Sequence, residues 1–428
     1  MAPTEGPGVR AAGPVRVFCS AGEPSGDMHG AQVLKEAGLS DPGLSFFGLG
    51  GDLMRENGCE LVAHLRDTAV MGFTEAIGSL FRVLGVLRKL KKAIAREKPA
   101  AALLIDSPDL NFPLAKACHA MGVPVLYYVC PQVWAWRERR IETLRKYATR
   151  RALIFPFEEA YYRKRGVSCD LVGHPLFDEI RPAPRASLRE ALGLDPASPA
   201  LAILPGSRPG VFRHLAPAVF GAADLLLQRV PGLRPTLALS PIIGDQDLGD
   251  ALAPYPRLRG RLTILRRGSR EILGASDAAI LASGTSVLEA AILDTPMVVA
   301  YKVSKLSWLL ARALVRVPFA AAANLLLGRR AIPEYLQDDC VPENLANAAA
   351  PLLVPGPPRA LALHELSKVR KALGGPGASR KALGILEEII GKGKDPKDNP
   401  ENAPALGGAP ATNDASPKGA SEAASGRP

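Results

Sequence analysis

Twice in this chain a short apolar run leads through a glycine-containing loop into a segment with helical periodicity. The first copy starts at residue 15 and passes through the loop 21–27, and the second starts at residue 201 and passes through 205–208. A short apolar run that stops at glycine or proline indicates a buried strand, and the periodic segment after it indicates a helix. Because such strands must be covered by helices on both faces, the pattern predicts parallel α/β sheets.

The same alternation continues on both sides of a proline-rich segment at 181–184. Strands are predicted at 15–20, 44–49, 100–105, 123–129, 153–157 and 169–172, and again near 201–204, 235–240, 262–265, 278–282 and 297–301. A chain of 428 residues is long for a single core, which favours two domains. We therefore predict a disordered N-terminus (1–14), two Rossmann-like domains (15–182 and 183–357), C-terminal helices packed back on the first domain (358–391) and a disordered tail (392–428).

The net charge and the cysteine spacing of the chain indicate which kinds of ligand it can bind. The formal net charge is +11, aromatic residues make up 5% of the chain, and no nucleic-acid-binding signature is present. This combination favours phosphorylated substrates or an anionic membrane surface over nucleic acid. Six scattered cysteines without a metal-ligand spacing predict reduced thiols and no metal site. The N-terminus lacks a secretory pattern and no run of 18 apolar residues occurs, so we expect no membrane-spanning segment.

Two loops in the second half carry residues suited to a nucleotide diphosphate. Both follow a predicted strand and open a helix, so their N–H groups can face an anion, and an arginine adds a planar fork for phosphate oxygens. An acid one turn into the second helix can accept hydrogen bonds from a ribose diol. The alternative is an ordinary turn with a surface arginine and an N-capped helix with a solvated glutamate. The residues concerned are Gly206, Ser207, Arg208, Ser283, Gly284, Thr285 and Glu289.

The first half carries the candidates for a general base. Asp106 follows five apolar residues at a strand end, where partial burial can raise its pKa. Asp109 lies in the same loop and also suits the N-cap of the following helix. His29 and His174 are alternatives, whereas His119 falls within a predicted helix and suits packing.

Taken together, the motifs resemble those of the lipid-A-disaccharide synthases, bacterial glycosyltransferases of the GT-B architecture. The motifs run in the family's order along residues 15–350. They are 21–23 (AGE), 25–27 (SGD), 69–72 (AVMG) with Glu75, 105–109 (IDSPD) with Asn111, 133–137 (VWAWR) after Pro131, 156–158 (PFE), 173–175 (GHP), 204–208 (LPGSR), 283–285 (SGT) with Glu289, 296–299 (PMVV) and Asn324-Leu325.

The resemblance implies an inverting transfer of 2,3-diacylglucosamine from UDP-2,3-diacylglucosamine to the 6-hydroxyl of 2,3-diacylglucosamine 1-phosphate (lipid X). It implies Asp106 as the base and the second domain as the UDP site, with Arg208 and 283–285 facing the pyrophosphate and Glu289 the ribose. The implied reaction requires no cofactor and no metal ion. Further candidate contacts to the acceptor or donor sugar are Glu23, Ser25, Asp109, Trp136, Arg137, His174 and Asn324.

Two basic amphipathic segments, 73–92 and 302–316, suit the interface of an anionic bilayer. The alternative for the first is a helix packed on a sheet, with cations favoured near its C-terminus. The resemblance implies a cytoplasmic enzyme held peripherally at the inner membrane. The oligomeric state stays open, a homodimer included, as do the acyl-chain preference and the purpose of the tail.

The chain departs from the family pattern after the 204–208 loop, at 209–213, and again at 320–330, where Ala323 and Arg330 replace a usual proline and acid. Two alternatives therefore stay open. One is another GT-B enzyme acting on UDP-amino sugars, either an epimerase or a glycosyltransferase for a different lipid-linked sugar. The other is a membrane-associated binding protein without catalytic activity.

Overall fold

The computed structural model describes residues 14–68, 76–135, 137–304, 308–309 and 317–392. The predicted disordered segments fall outside these ranges except for residues 14 and 392. Trp136 and most of the segment 302–316 also lie outside the described residues.

The described strands form two parallel sheets. In chain order they are β1 Val15–Ala21, β2 Leu44–Gly50, β3 Cys59–His64, β4 Ala101–Ile105, β5 Val125–Tyr128, β6 Arg150–Leu153, β7 Asp170–Leu171, β8 Ala200–Leu204, β9 Arg234–Ala238, β10 Thr263–Leu265, β11 Ala278–Ala282, β12 Met297–Tyr301 and β13 Glu334–Leu336. The first sheet has the order β3-β2-β1-β4-β5-β6-β7 and the second the order β10-β9-β8-β11-β12-β13.

Helices connect the strands and cover both faces of each sheet. They are α1 Pro24–Ser40, α2 Asp52–Glu56, α3 Ala76–Glu97, α4 Pro108–Ala120, α5 Arg140–Tyr147, α6 Pro156–Arg163, α7 Leu176–Glu179, α8 Arg185–Ala191, α9 Pro209–Arg229, α10 Asp245–Leu252, α11 Pro256–Arg259, α12 Ser269–Ala275, α13 Thr285–Ile292, α14 Ala322–Leu327, α15 Pro342–Ala349, α16 Pro357–Leu373 and α17 Ala378–Lys392.

The central strands are apolar along their whole length because both faces are covered. Every residue of β4, β8 and β11 is buried, which is the pattern expected of a parallel sheet. The topology also reverses beside β1 in the first sheet and beside β8 in the second, where each strand order changes direction. Ligands bind beyond the carboxyl ends of strands at such reversal points.

Some predicted elements were displaced or missed. The strand predicted at 153–157 is β6, which ends at Leu153, because Pro156 begins a helix there. The basic segment 139–151 forms helix α5, which ends at Tyr147, and the last residues of the segment belong to β6. The edge strands β3 and β13 were not predicted, since they are short and mix charged with apolar residues.

Helix α9 is long and apolar enough to cross a membrane by length and composition, although 56% of its most apolar window is buried inside the protein. Its buried residues join the core of the second sheet. Apolar length here therefore reflects a core helix between a sheet and its covering elements.

The two C-terminal helices pack on different sides of the molecule. Helix α16 contacts α13 and α14 beside the second sheet, whereas α17 returns to α1, β4 and β5 of the first. The Asp178 carboxylate fixes the start of α17 by accepting hydrogen bonds from the N–H groups of Gly377 (2.5 Å) and Ser379 (2.8 Å). The described part of the predicted block 358–391 is thus shared between the two sheets.

Candidate active site

A cavity of about 530 Å³ lies at the carboxyl ends of β8, β9, β10 and β11. It is lined by the loops that follow these four strands. All seven residues predicted for the nucleotide diphosphate line it, namely Gly206, Ser207, Arg208, Ser283, Gly284, Thr285 and Glu289. The second sheet therefore gathers the two predicted loops into one pocket.

Two helices begin at this cavity. Helix α9 starts directly after Arg208, and α13 starts at Thr285, so the positive ends of both helices and their first N–H groups lie beside it. Gly206 has a φ of +101°, and a Cβ there would meet Val211 Cγ1 at 2.6 Å. The tight turn before α9 thus requires glycine.

Two exposed arginines line the cavity without an acidic partner among the described residues. One is the predicted Arg208 and the other is Arg267, which follows β10. Neighbouring Arg266 instead pairs with Asp245. Sequence reasoning missed Arg267, although its place just after a predicted strand end was a usable signal. Both free cations suit phosphate oxygens.

Glu289 lines the cavity from α13, but its carboxylate is held by Arg270, whose Nε lies 2.8 Å from Oε1. The same guanidinium donates to Glu179 Oε2 at 2.8 Å, and Glu179 Oε1 lies 2.5 Å from His29 Nδ1. Arg270 belongs to α12, whereas Glu179 and His29 belong to helices beside the first sheet. This charged network joins the cavity to the first half of the molecule. No local sequence pattern predicted this link.

Asp106 ends β4 in a strained turn. It has a φ of +47° and Ser107 one of +44°, which are uncommon values for residues other than glycine. Asn111 Nδ2 and the Tyr127 hydroxyl both donate to the Asp106 carbonyl oxygen, at 2.8 and 2.7 Å. The fully buried Asn111 also binds the Ile105 carbonyl and Ser20. These contacts fix the direction of the Asp106 side chain.

The Asp106 carboxyl has a raised pKa. Burial is the main cause, and the charge of Glu23, at the N-cap of α1, adds to it. The charge of His29 acts in the opposite direction. Glu23 is exposed and Ser25 half-buried in the first turn of α1, so the residues predicted there share the Asp106 end of the first sheet. A carboxylate with a raised pKa at the carboxyl end of a parallel strand suits proton abstraction.

Asp109 is not the N-cap of α4, a position that Ser107 takes. Its carboxylate is 78% exposed and contacts Arg140, with Arg137 Nη1 at 3.6 Å. The Arg140 guanidinium also lies over the Phe112 ring, 5.8 Å from its centre. Arginines and one acid thus gather beside the Asp106 turn.

Two other predicted contacts are buried. His174 accepts a hydrogen bond at Nδ1 from the Leu176 N–H and packs on Phe155, and burial lowers its pKa to about 3. Asn324 is fully buried and its amide binds Ala331 and Ile332, at 2.8 to 2.9 Å. Asn324 therefore holds the 328–332 turn at the rim of the second sheet.

Glu158 anchors the loop that carries Arg137. It is fully buried, accepts from Trp134 Nε1 at 2.9 Å and from the Phe155 N–H at 3.1 Å, and its pKa is raised to about 7 by burial. In the part of the chain that the structure describes, no three His, Cys, Asp or Glu side chains gather as metal ligands.

A family model and several relatives match most of this chain. The family model described as lipid-A-disaccharide synthetase matches residues 17–388. The lipid-A-disaccharide synthase of Myxococcus xanthus is 40% identical over 387 residues, which covers 89% of this chain and 99% of that protein. The synthase of Geobacter metallireducens is 37% identical over 379 residues, covering 88% and 98%.

Solved structures match at the level of the fold. MurG from Acinetobacter baumannii superposes with a TM-score of 0.56 at 18% identity, covering 88% of this chain and all of that one. The UDP-GlcNAc 2-epimerase of Neisseria meningitidis, solved with UDP-GlcNAc, gives 0.60 at 11% identity, covering 87% and 100%. The predicted GT-B architecture, with two facing parallel sheets, is confirmed.

The relatives match almost from end to end, and the family model spans both sheets together with Asp106, Arg208 and Glu289. Family, enzyme class and fold therefore agree with the motifs in the sequence. The chain belongs to the lipid-A-disaccharide synthase family.

Proposed function

We propose that the protein transfers 2,3-diacylglucosamine from UDP-2,3-diacylglucosamine to the 6-hydroxyl of 2,3-diacylglucosamine 1-phosphate, with inversion at the anomeric carbon. The observation that carries this proposal is that the two kinds of candidate residue lie on different sheets. A cavity bordered by two helix N-termini lies on the second sheet, and a half-buried carboxylate with a raised pKa follows a strand of the first.

In this reaction Asp106 removes the proton from the acceptor 6-hydroxyl as its oxygen attacks the anomeric carbon. The bond from that carbon to the β-phosphate oxygen breaks, and its electron pair leaves with UDP. Burial raises the pKa of Asp106, which favours holding the proton after transfer.

The departing UDP gains negative charge as the bond breaks. Arg208, Arg267 and the starts of α9 and α13 line the cavity in which we place it. Fixed cations and N–H groups stabilise such charge without reorganising, which is the largest electrostatic contribution in many transferases. We assign the ribose hydroxyls to Glu289, on the same helix as Thr285.

We further propose that the protein acts at the cytoplasmic face of the inner membrane, as a peripheral enzyme. Helix α3 exposes Phe81 and Leu84, and its exposed cations include Arg88, Lys89, Lys91 and Lys92. Farther along, α3 buries Leu87, Leu90 and Ile94 in the core. Apolar and cationic exposure on one helix suits an anionic bilayer, while its inner face packs as predicted for a helix on a sheet.

The test is an assay with purified protein, UDP-2,3-diacylglucosamine and 2,3-diacylglucosamine 1-phosphate. We expect UDP release matched by formation of the β-1,6-linked disaccharide 1-phosphate. Non-acylated UDP-GlcNAc is the control donor and separates this activity from that of an epimerase or another glycosyltransferase. Absence of the disaccharide, with UDP still bound, would support a binding protein instead. Light scattering on the same sample tests the homodimer.

A further inference from the structure

We propose that Arg137, Arg139 and Arg140, called here the arginine cluster, bind the anomeric phosphate of the acceptor sugar. The inference rests on the proposed function, because it assumes that the acceptor is a hexosamine 1-phosphate whose 6-hydroxyl meets Asp106. It adds a binding site for a phosphomonoester on the first domain, separate from the pyrophosphate cavity on the second.

The cluster lies next to the Asp106 turn. Asp109, three residues after the base, contacts Arg140 and has Arg137 Nη1 at 3.6 Å. A second chain of contacts connects Asp106 to Arg140 through two aromatic rings. Tyr127 donates to the Asp106 carbonyl at 2.7 Å, its ring centre lies 5.8 Å from that of Phe112, and Arg140 lies over Phe112.

The local charge favours an anion. The Asp109 carboxylate contacts Arg137 and Arg140, and Arg139 is exposed beside them in the chain. Glu138 in the same turn is held by Arg165, with Nε at 2.8 Å. The Arg137 side chain is 53% exposed and Arg139 is exposed as well, so both can reach a ligand from solvent. Arginine forks match phosphate oxygens in two-point contacts, and a dianionic phosphate competes well with one exposed carboxylate for them.

The geometry of the substrate agrees with this placement. The anomeric phosphate is on C1 and the 6-hydroxyl is on the carbon attached to C5. C1 and C5 both flank the ring oxygen, so a base and a phosphate site for one acceptor must lie near each other in the protein. The cluster is carried by the loop after β5 and the start of α5, and the base is carried by the end of β4, its neighbour in the sheet. Glu158 holds the loop in place through Trp134.

The experiment pairs a substrate change with a protein change. Wild type, Arg137→Ala and Arg140→Lys are assayed with 2,3-diacylglucosamine 1-phosphate and with 2,3-diacylglucosamine, which lacks the phosphate. We expect Arg137→Ala to raise the acceptor KM roughly tenfold for the phosphorylated acceptor, and to leave the KM for the other acceptor unchanged. Arg140→Lys keeps the charge but loses the fork, so we expect a smaller rise with the same selectivity.

The matched control is Arg163→Ala, which removes an exposed arginine that pairs with Glu159 on α6. It should change neither KM, since such surface pairs contribute little. An equal loss with both acceptors in Arg137→Ala would overturn the phosphate assignment. UDP affinity, measured by calorimetry, should stay constant in all variants. If wild type forms no disaccharide from the phosphorylated acceptor, the proposed function itself fails, and the two failures are therefore distinguishable.

Discussion

Asp106 combines a strained backbone with a half-buried side chain. Its conformation is maintained by contacts to its own carbonyl oxygen from Asn111 and Tyr127, and burial raises its pKa. Asp106→Asn removes the proton acceptor but keeps the shape, so we expect kcat to fall roughly 10²- to 10⁴-fold while UDP affinity is retained. Steady-state kinetics and calorimetry on one preparation measure both.

The raised pKa also predicts how Asp106 affects stability. A folded-state pKa above the unfolded value means that the charged form is disfavoured in the native protein, so stability from this group is lost as pH rises. Asp106→Asn should therefore unfold at the same or a higher temperature than wild type near pH 7. Asp109→Asn is the comparison, since its exposed carboxylate should matter far less for kcat. A larger loss of kcat in Asp109→Asn than in Asp106→Asn would identify Asp109, and not Asp106, as the base.

Arg208 is exposed at the cavity, directly before α9. Arg208→Ala should weaken UDP binding by roughly tenfold or more, because a charge-assisted hydrogen bond is lost. Arg213→Ala serves as control, since this arginine is exposed one turn further along the same helix and does not line the cavity. Equal UDP affinities for wild type and Arg208→Ala, by calorimetry, would remove Arg208 from the phosphate site.

Residues at strand ends were predictable, and residues that act across the fold were not. Asp106, Arg208 and Ser283 each follow an apolar run and a turn signal, which sequence reveals locally. The pairing of Arg270 with Glu179 joins positions 91 residues apart in the chain. Likewise, the sequence indicated Asn111 only as part of a motif. Its hydrogen bond to the Asp106 carbonyl depends on the left-handed backbone of residues 106 and 107, which no sequence pattern predicted.

At the scale of single elements, α3 connects the fold to the membrane proposal. Phe81 is 68% exposed and Leu84 also faces solvent. Phe81→Ser with Leu84→Ser should weaken binding to vesicles rich in anionic lipid, because inserting each such side chain contributes roughly 1.5–3 kcal/mol. Leu39→Ser is the control, because that leucine is 73% exposed on α1. Co-sedimentation gives the bound fraction, and an equal loss in both variants would indicate a non-specific effect.

Helix α6 carries a second pH-dependent group. Burial raises the pKa of Glu158 to about 7, from an ordinary value of 4.5. Its protonated form is therefore favoured in the folded state, and the stability that this gives is complete below pH 4.5 and is lost as pH rises through 7. Glu158→Gln should flatten the decline of melting temperature between pH 4.5 and about pH 7.

The control for that experiment is Glu159→Gln, the next residue on the same helix, whose carboxylate is less buried and pairs with Arg163. Its melting profile should run parallel to that of wild type. Parallel profiles for wild type and Glu158→Gln would show that Glu158 is ionised throughout. The sequence alone marked Glu158 as a motif member, but burial, which sets its pKa, depends on packing from Trp134 and Phe155.

Over the whole molecule, helices beside the two sheets meet through a charged contact at the cavity on the second sheet. Arg270 divides its donors between Glu289, which lines the cavity, and Glu179, whose side chain is only 2% exposed and which also contacts His29. A guanidinium shared in this way couples its two carboxylate partners, because weakening its contact with one carboxylate strengthens its contact with the other. If UDP occupies this cavity as we propose, its binding is linked to the contact between helices of the two halves.

This coupling gives a prediction for a residue that does not line the cavity. Glu179→Gln removes one carboxylate from Arg270, which then holds Glu289 more fully and leaves it less available to the ribose hydroxyls. We expect UDP affinity to fall roughly fivefold, about 1 kcal/mol of coupling. In an Arg270→Met background the same substitution should have no effect, because the intermediary is gone. Calorimetry on the two single variants and the double variant completes the cycle, and independent, additive effects would show that Glu179 acts on the donor site by another route.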